Sequence, residues 1–288
     1  MSACATAFCP GHLSGYFRPV YGSDPGRCGS LGAGIVIREG VTTTVRPADA
    51  IDITVERRDP VTGAVLEVLT SAPPIEYLLV QMGVTVKVKT ECTLPIGAGF
   101  GLSAAALLST ATAVNQLFSL FLSPFECGEL AHEAEIVHKT GLGDVAACMG
   151  GGRDCRKDAG IGAEIDRNYD IPDTLCAVVF GPLPSPRVLG SPDAMERVIR
   201  AFPGRCPRDS GDFFRLARKF AIDSGLATTE VLHALTACDE AGIPATMTML
   251  GNGVFACGKK AFKVLSSLGD TFVLHPAETG VRLVEARG

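Results

Sequence analysis

The chain has 288 residues, 47% hydrophobic and 20% charged, so it can bury a sizeable core and is neither disordered nor fibrous. Its formal net charge of −5 argues against nucleic acid as the main partner; an anionic substrate would need a local cluster of Arg, Lys or backbone N–H groups. Eleven cysteines form an odd set with no C-x-x-C pair, and no His stands beside one in zinc-ligand spacing, which predicts reduced thiols in a cytoplasmic protein.

The first residues lack the basic start and apolar run of a signal peptide. Residues 1–34 are rich in Gly, Pro and Ser and read as a strand end followed by a long loop. Ile35–Ile37, Thr42–Val45 and Ile51–Arg57 have the β-branched, alternating character of short strands, and Val84–Cys92 reads as a half-buried one. A glycine turn follows, then a helix from about Ser103 to Phe121. The apolar stretch Ala104–Leu122 is interrupted by Ser109, Thr110, Thr112, Asn115, Gln116 and Ser119, a poor membrane span. Ser123-Pro124-Phe125-Glu126 combines an N-cap, Pro at the first helical position and a capping-box Glu, predicting a helix to about Lys139. Val145–Met149 reads as a short helix.

Beyond it, strands are expected at Ile161–Ile165, Leu175–Phe180, Thr246–Met249, Val254–Cys257 and Thr271–Leu274. Helices are expected at Asp193–Phe202, Asp212–Ser224, Thr229–Ala241 and Lys259–Leu268. The composition shifts near Asp170–Asp173, which predicts domains 1–172 and 173–288, each α+β with mostly antiparallel sheet.

Strand, then Pro95-Ile96-Gly97-Ala98-Gly99-Phe100-Gly101-Leu102-Ser103, then an Ala-rich helix is a recipe for an anion site. The glycines allow positive φ and close backbone approach, and the N–H groups at a helix start favour negative charge. A Walker A loop is excluded by the missing G-K-[ST], and the dinucleotide fingerprint by Leu102. A plain tight corner remains the alternative.

Among the carboxylates of the second helix, Glu126, Glu129 and Glu133 share one stripe, most simply a solvated face. Glu135 lies on the other side, bordering Cys127, Leu130, Ala134 and Val137, and an acid at that border needs a partner: a cation such as Mg²⁺, or a Lys or Arg. Asp144 follows two glycines and precedes a helix, where an N-cap is the local reading. His12 and Ser30 lie in glycine-rich loops and could bind substrate, and His12 could equally be a loop residue bonded to backbone. His132, His233 and His275 have no nameable partners and read as structural or surface residues.

The pattern P-x-x-x-G-x-G-x-S-A at Pro95–Ala104 resembles the second motif of the GHMP kinases, with Phe100 for the family's Leu and Leu102 for its first Ser. Pro10-Gly11-His12-Leu13-Ser14-Gly15 is similar to the family's first, substrate-facing segment. Met249–Phe255 stands where the third motif would be, with two glycines kept. Within the family the chain is most similar to the archaeal pantoate kinases, on P-G-H-L-S-G-Y-F, Gly29–Ile35, Ala134–Ala147, Met247–Phe255 and Gly181-Pro182-Leu183-Pro184-Ser185.

This resemblance implies the two-domain GHMP kinase fold: an N-terminal ribosomal protein S5 domain 2-like unit and a C-terminal ferredoxin-like unit. It implies ATP phosphates at Pro95, Gly97, Ala98, Gly99, Gly101 and Ser103, and Mg²⁺ at Ser103 and Glu135. Asp144 would be the general base or the group orienting the acceptor hydroxyl. His12, Ser30, Arg156 and Ser185 would bind the acceptor, with Arg153 and Arg187 as rivals for its carboxylate. The implied reaction is phosphorylation of the terminal hydroxyl of pantoate in coenzyme A synthesis, by a protein expected to be a homodimer. Other readings are a GHMP kinase for homoserine, shikimate or mevalonate, or a ligand sensor that has lost catalysis.

Overall fold

The computed structural model describes residues 3–172, 174–183 and 185–287. Met1 and Ser2 at the start, Asp173 at the expected domain boundary and Pro184 at the expected strand end lie outside the described residues. The chain opens on two long antiparallel strands, β1 (Cys4–Val20) and β2 (Gly29–Pro47), joined across a 3-10 turn at Pro25–Arg27. This corrects the expected loop over residues 1–34. The glycines there serve close approach rather than turning. A Cβ on Gly34 would stand 2.5 Å from His12 Cε1, and one on Gly32 would stand 3.0 Å from the Phe17 Cα.

Next come β3 (Asp52–Arg58), β4 (Val65–Leu69), α1 (Pro73–Gln81) and β5 (Val86–Cys92). They are followed by α2 (Leu102–Phe118), α3 (Pro124–His138), α4 (Asp144–Cys148), β6 (Arg153–Arg156) and β7 (Ile165–Asn168). The Ser123–Glu126 capping box forms as expected, Ser123 N–H donating to Glu126 Oε2 at 2.7 Å and Glu126 N–H to Ser123 Oγ at 3.2 Å.

The second half holds β8 (Leu175–Gly181), α5 (Ser185–Leu189), α6 (Pro192–Ala201), α7 (Ser210–Asp223), α8 (Thr229–Glu240) and β9 (Ala245–Met247). It ends with β10 (Asn252–Cys257), α9 (Lys259–Leu265), β11 (Asp270–Leu274) and β12 (Arg282–Arg287). The expected strand at Ile161–Ile165 starts only at Ile165, because pairing with β6 sets its register. β4, β6, β12 and the short helices α1 and α5 had no periodic signal.

Among the described residues the strands form two sheets. The first runs β12-β1-β2-β5-β3-β4, with β6 pairing the outer part of β2 and β7 pairing β6. The second, β11-β8-β10-β9, is antiparallel throughout, with helices between its first and second and its third and fourth strands, a ferredoxin-like arrangement. A cut at 172/173 separates the two sheets except for β12, which returns to pair with β1.

α2 packs on β1 and β2 through alanines, with Ala104, Ala105, Ala111 and Ala113 fully buried. Its buried Ser109 donates to the Ala105 carbonyl at 2.7 Å. With its one hydrogen so engaged, its oxygen accepts from Thr43 Oγ1 at 2.7 Å. No helix among the described residues is long and apolar enough to cross a membrane.

One expectation about cysteine is corrected. Cys155 on β6 and Cys206 before α7 form a disulfide, 51 residues apart in sequence with Cα atoms 5.7 Å apart, while nine cysteines are free. Such a pairing depends on tertiary proximity, which cysteine spacing does not carry.

Candidate active site

The loop between β5 and α2 turns on three glycines with positive φ, 74° at Gly97, 85° at Gly99 and 64° at Gly101. Gly101 is the N-cap of α2 and makes no side-chain cap bond, so the first N–H groups of this 17-residue helix have no side-chain cap.

Segments far apart in sequence clamp the loop. His12 N–H donates to the Phe100 carbonyl at 2.9 Å, and Leu183 N–H to the Gly97 carbonyl at 3.1 Å. A Cβ on Gly101 would stand 2.9 Å from His12 Cβ, one on Gly99 3.0 Å from the Met249 carbonyl, and one on Gly251 2.6 Å from Gly99 N. The first and third glycine segments read from the sequence thus meet the second.

The loop borders a cleft of about 380 Å³. Ser103, Glu135, Asp144, His12, Thr140 and Ser185 line its polar side, and Val41, Val55, Leu69, Ile75 and Leu107 its apolar side. No Lys or Arg lines it among the described residues, so negative charge in the cleft must be met by backbone N–H groups, the helix start, His12 or a bound cation.

Glu135 on α3 is fully buried, and neither carboxylate oxygen has a hydrogen-bond partner among the described residues. Burial pushes its carboxyl well above the ordinary range, and the charge of Asp144 adds to this. The Val145 N–H, which faces it outside hydrogen-bond geometry, and Arg156 pull the other way. A Cβ on Gly141 would stand 2.5 Å from Glu135 Cδ, so glycine there leaves the carboxylate its room. The other three glutamates follow the expected stripe: Glu126 and Glu129 are exposed, and half-buried Glu133 accepts from Tyr77 Oη at 2.7 Å.

An orphaned buried carboxylate and a hydroxyl at the helix start, lining one cleft, fit a hard divalent cation. The unpartnered Thr140 hydroxyl lines the same cleft.

Asp144 is not the N-cap of α4; Gly143 is, and Asp144 Oδ1 instead accepts from His12 Nδ1 at 2.6 Å. His12 Nε2 lies 2.7 Å from Asp154 Oδ1, and Asp154 also pairs with Arg156. Burial alone lowers the imidazole pKa, but the charges and hydrogen bonds of Asp154 and Asp144 outweigh it and raise it to about 10. Burial would raise the Asp154 carboxyl, but Arg156 and His12 hold it well below the usual range. Both His12 nitrogens are thus engaged by carboxylates, and the ring holds Asp144 rather than presenting a free donor to substrate.

The remaining expected residues divide. Ser185 opens α5 and lines the cleft. Pro95 is half-buried at the loop start, and Ala98 is buried, its carbonyl against Gly251. Ser30 and Arg156 are buried together beside Gly143, where an added Cβ would stand 2.6 Å from Ser30 Oγ and 2.7 Å from Arg156 Nε. Neither lines the main cleft, and Arg156 Nε has no partner among the described residues.

Alternation along β6 separates the rivals. Asp154 and Arg156 face His12, whereas Arg153 and Cys155 face Ser210 and Cys206, Arg153 Nη1 donating to Ser210 Oγ at 3.4 Å. Arg187 is exposed on α5. His132 Nε2 lies 3.0 Å from the Cys28 carbonyl and His275 Nδ1 2.8 Å from Glu39 Oε1, so each has a partner the sequence did not reveal. Asp154 was missed outright; its only signal was an acid in a short charged strand.

Residues 64–152 match the model of the GHMP kinase N-terminal domain. A pantoate kinase of Methanospirillum hungatei is 45% identical over 269 residues, covering 93% of this chain and 92% of the relative. The chain belongs to the GHMP kinases. This GHMP kinase is also 31% identical to a pantoate kinase of Thermococcus kodakarensis, over 91% of this chain and 92% of the relative. A solved structure described as a phosphotransferase related to the CoA biosynthesis pathway superposes with a TM-score of 0.81 at 25% identity, covering 98% of both chains. This GHMP kinase is an ATP-dependent phosphotransferase of α+β fold.

Proposed function

We propose that this GHMP kinase transfers the γ-phosphoryl group of ATP to the terminal hydroxyl of pantoate, giving 4-phosphopantoate on the way to coenzyme A. The observation that carries this reading is the convergence, in one cleft, of the three-glycine loop, the orphaned Glu135 carboxylate with Ser103, and Asp144 held by His12. The similarity to pantoate kinases over 93% and 91% of the chain supports the acceptor.

The backbone N–H groups of the loop and the start of α2 bind the phosphates and fix the direction of transfer. Ser103 and Glu135 would hold Mg²⁺, which when bound neutralises charge on the phosphate oxygens. Asp144 keeps one oxygen for His12 and offers the other to the acceptor hydroxyl, orienting it and taking its proton as the oxygen–phosphorus bond forms. The imidazolium beside it fixes the carboxylate of Asp144, which suits a loose transition state in which the hydroxyl proton leaves late. Ser30 and Arg156, with the guanidinium Nε still unpartnered, would receive the acceptor carboxylate.

The nine free thiols and soluble substrates favour the cytoplasm, and the domains are taken as 1–172 and 173–288 with β12 returned to the first sheet. A homodimer is carried over from the family resemblance alone.

A coupled ADP-release assay across pantoate, homoserine, shikimate and mevalonate tests the reading. Turnover of another acceptor but not pantoate overturns it; tight ATP binding with no turnover of any acceptor would point to a sensor. Asp144→Ala should lose turnover and keep ATP affinity. Arg156→Ala should raise the acceptor KM, and an equal effect of Arg153→Ala or Arg187→Ala would move the carboxylate site.

A further inference from the structure

Asp154 is fully buried and does not line the cleft, yet it is the centre of the charged cluster behind Asp144. We propose that Asp154 is a positioning residue for phosphoryl transfer: from β6 it holds His12, and through His12 the carboxylate of Asp144, in a single orientation toward the acceptor. This rests on the reading of Asp144 as the group that faces the acceptor hydroxyl.

With both carboxylates ionised, the geometry requires a doubly protonated ring. His12 Nδ1 is 2.6 Å from Asp144 Oδ1 and Nε2 is 2.7 Å from Asp154 Oδ1. Carboxylates only accept, so a neutral imidazole would set its lone pair against an oxygen at one end. The ring has little freedom, since a Cβ on Gly34 would stand 2.5 Å from its Cε1 and one on Gly101 2.9 Å from its Cβ. The groups facing it are Asp144 and the Cys148 thiol from α4, and Asp154 from β6 with Arg156 paired behind. Cys148 lies beside Cys9 of β1, and the phosphate loop presents backbone at Phe100 and Gly101.

Asp154 therefore reaches the neighbourhood of Asp144 by two routes. One runs through His12 to the side chain. The other runs through Arg156, whose Nε stands 2.7 Å from where a Cβ of Gly143, the preceding residue, would be. Two carboxylates face one imidazolium and one guanidinium there, with Arg167 also acting on Asp154 and Glu135 on Asp144. Of the two carboxylates only that of Asp144 is exposed, at 21%, so Asp144 alone can meet the acceptor.

The test is Asp154→Asn, which keeps the shape and removes the charge. The expected result is a fall in kcat of about 100-fold, the size of a misplaced reacting group, with the KM for ATP within about threefold because the phosphate loop is untouched. The alkaline limb of kcat should also move. Activity that needs the imidazolium is present below the His12 pKa of about 10 and is lost as pH rises through it. With one carboxylate neutralised that limb shifts to lower pH. A merely structural Asp154 would leave the limb in place.

Wild-type kcat and pH profile in Asp154→Asn would overturn the proposal. If that variant does not fold, ¹⁵N-imidazole NMR of the wild type decides, with the His12 signal assigned from its loss in His12→Gln. Both ring nitrogens protonated at pH 8 is the expected result, and a neutral ring overturns it. Full activity of Asp144→Ala would instead refute the reading of Asp144, whatever Asp154→Asn does.

Discussion

Glu135→Gln removes a charge from a fully buried position and keeps the side-chain shape. The carboxylate has no hydrogen-bond partner among the described residues, so the native residue carries a desolvation cost that the amide largely escapes, although the amide too is left without hydrogen bonds. An unsatisfied buried polar group costs about 1–3 kcal/mol, and more when charged, so relief of about 1–3 kcal/mol is expected. At about 2–4 °C per kcal/mol for a chain of this size, the metal-free Tm should rise by roughly 2–12 °C.

The effect has a definite pH sign. The folded pKa of Glu135 is raised above its ordinary 4.5, so the folded state holds this proton to higher pH than the unfolded chain. The wild type therefore has its full stability below about 4.5 and loses part of it as pH rises through the folded value. Gln has no such loss, so its advantage should be small near pH 4.5 and larger at pH 8. Scanning fluorimetry at both pH values, with and without MgCl₂ and ATP, reads this out, and ADP release measures turnover. Glu135→Gln should gain metal-free Tm, lose the Mg²⁺-dependent increment and lose turnover. A lower metal-free Tm at pH 8, or an unchanged response to Mg²⁺ with turnover intact, would refute the assignment.

Two further outcomes follow from geometry. Gly99→Ala places a Cβ at φ 85°, 3.0 Å from the Met249 carbonyl and from Thr248 Cβ. The backbone term alone costs about 1–2 kcal/mol, and ATP affinity by titration calorimetry should fall; unchanged affinity and Tm would mean the loop does not need its left-handed turn. Cys206→Ser opens a tie across 51 residues, for which the chain-entropy model gives about 4 kcal/mol at most. The oxidised wild type should lose Tm on treatment with dithiothreitol to match the variant, and insensitivity to reductant would refute the pairing.

Much of the site was legible because its chemistry is local. The three positive-φ glycines, Ser103 at the helix start and the capping box at Ser123 each follow from a few adjacent residues. Glu135 could be separated from Glu126, Glu129 and Glu133 because helical period alone puts it on the apolar side. The failures are as specific. Gly29–Gly34 reads as loop by composition, but there the backbones of β1 and β2 and the His12 ring pass too close for side chains. β6 is a four-residue strand with two arginines and an aspartate, all buried, and no hydrophobic period marks it.

The sequence by itself determined the three-glycine loop, the carboxylate on α3 and the one that opens α4, the antiparallel α+β character and the family resemblance, since these are matters of residue order and period. The tertiary structure alone decided what those residues do to one another. It closed the loop with His12, Leu183 and Met249. It joined Cys155 to Cys206, set Arg153 and Arg156 on opposite sides of β6 by strand alternation, and placed the His12 ring between Asp144 and Asp154. Hydrogen bonds and charges act over a few ångströms in space, and His12 and Asp154 are 142 positions apart in the chain.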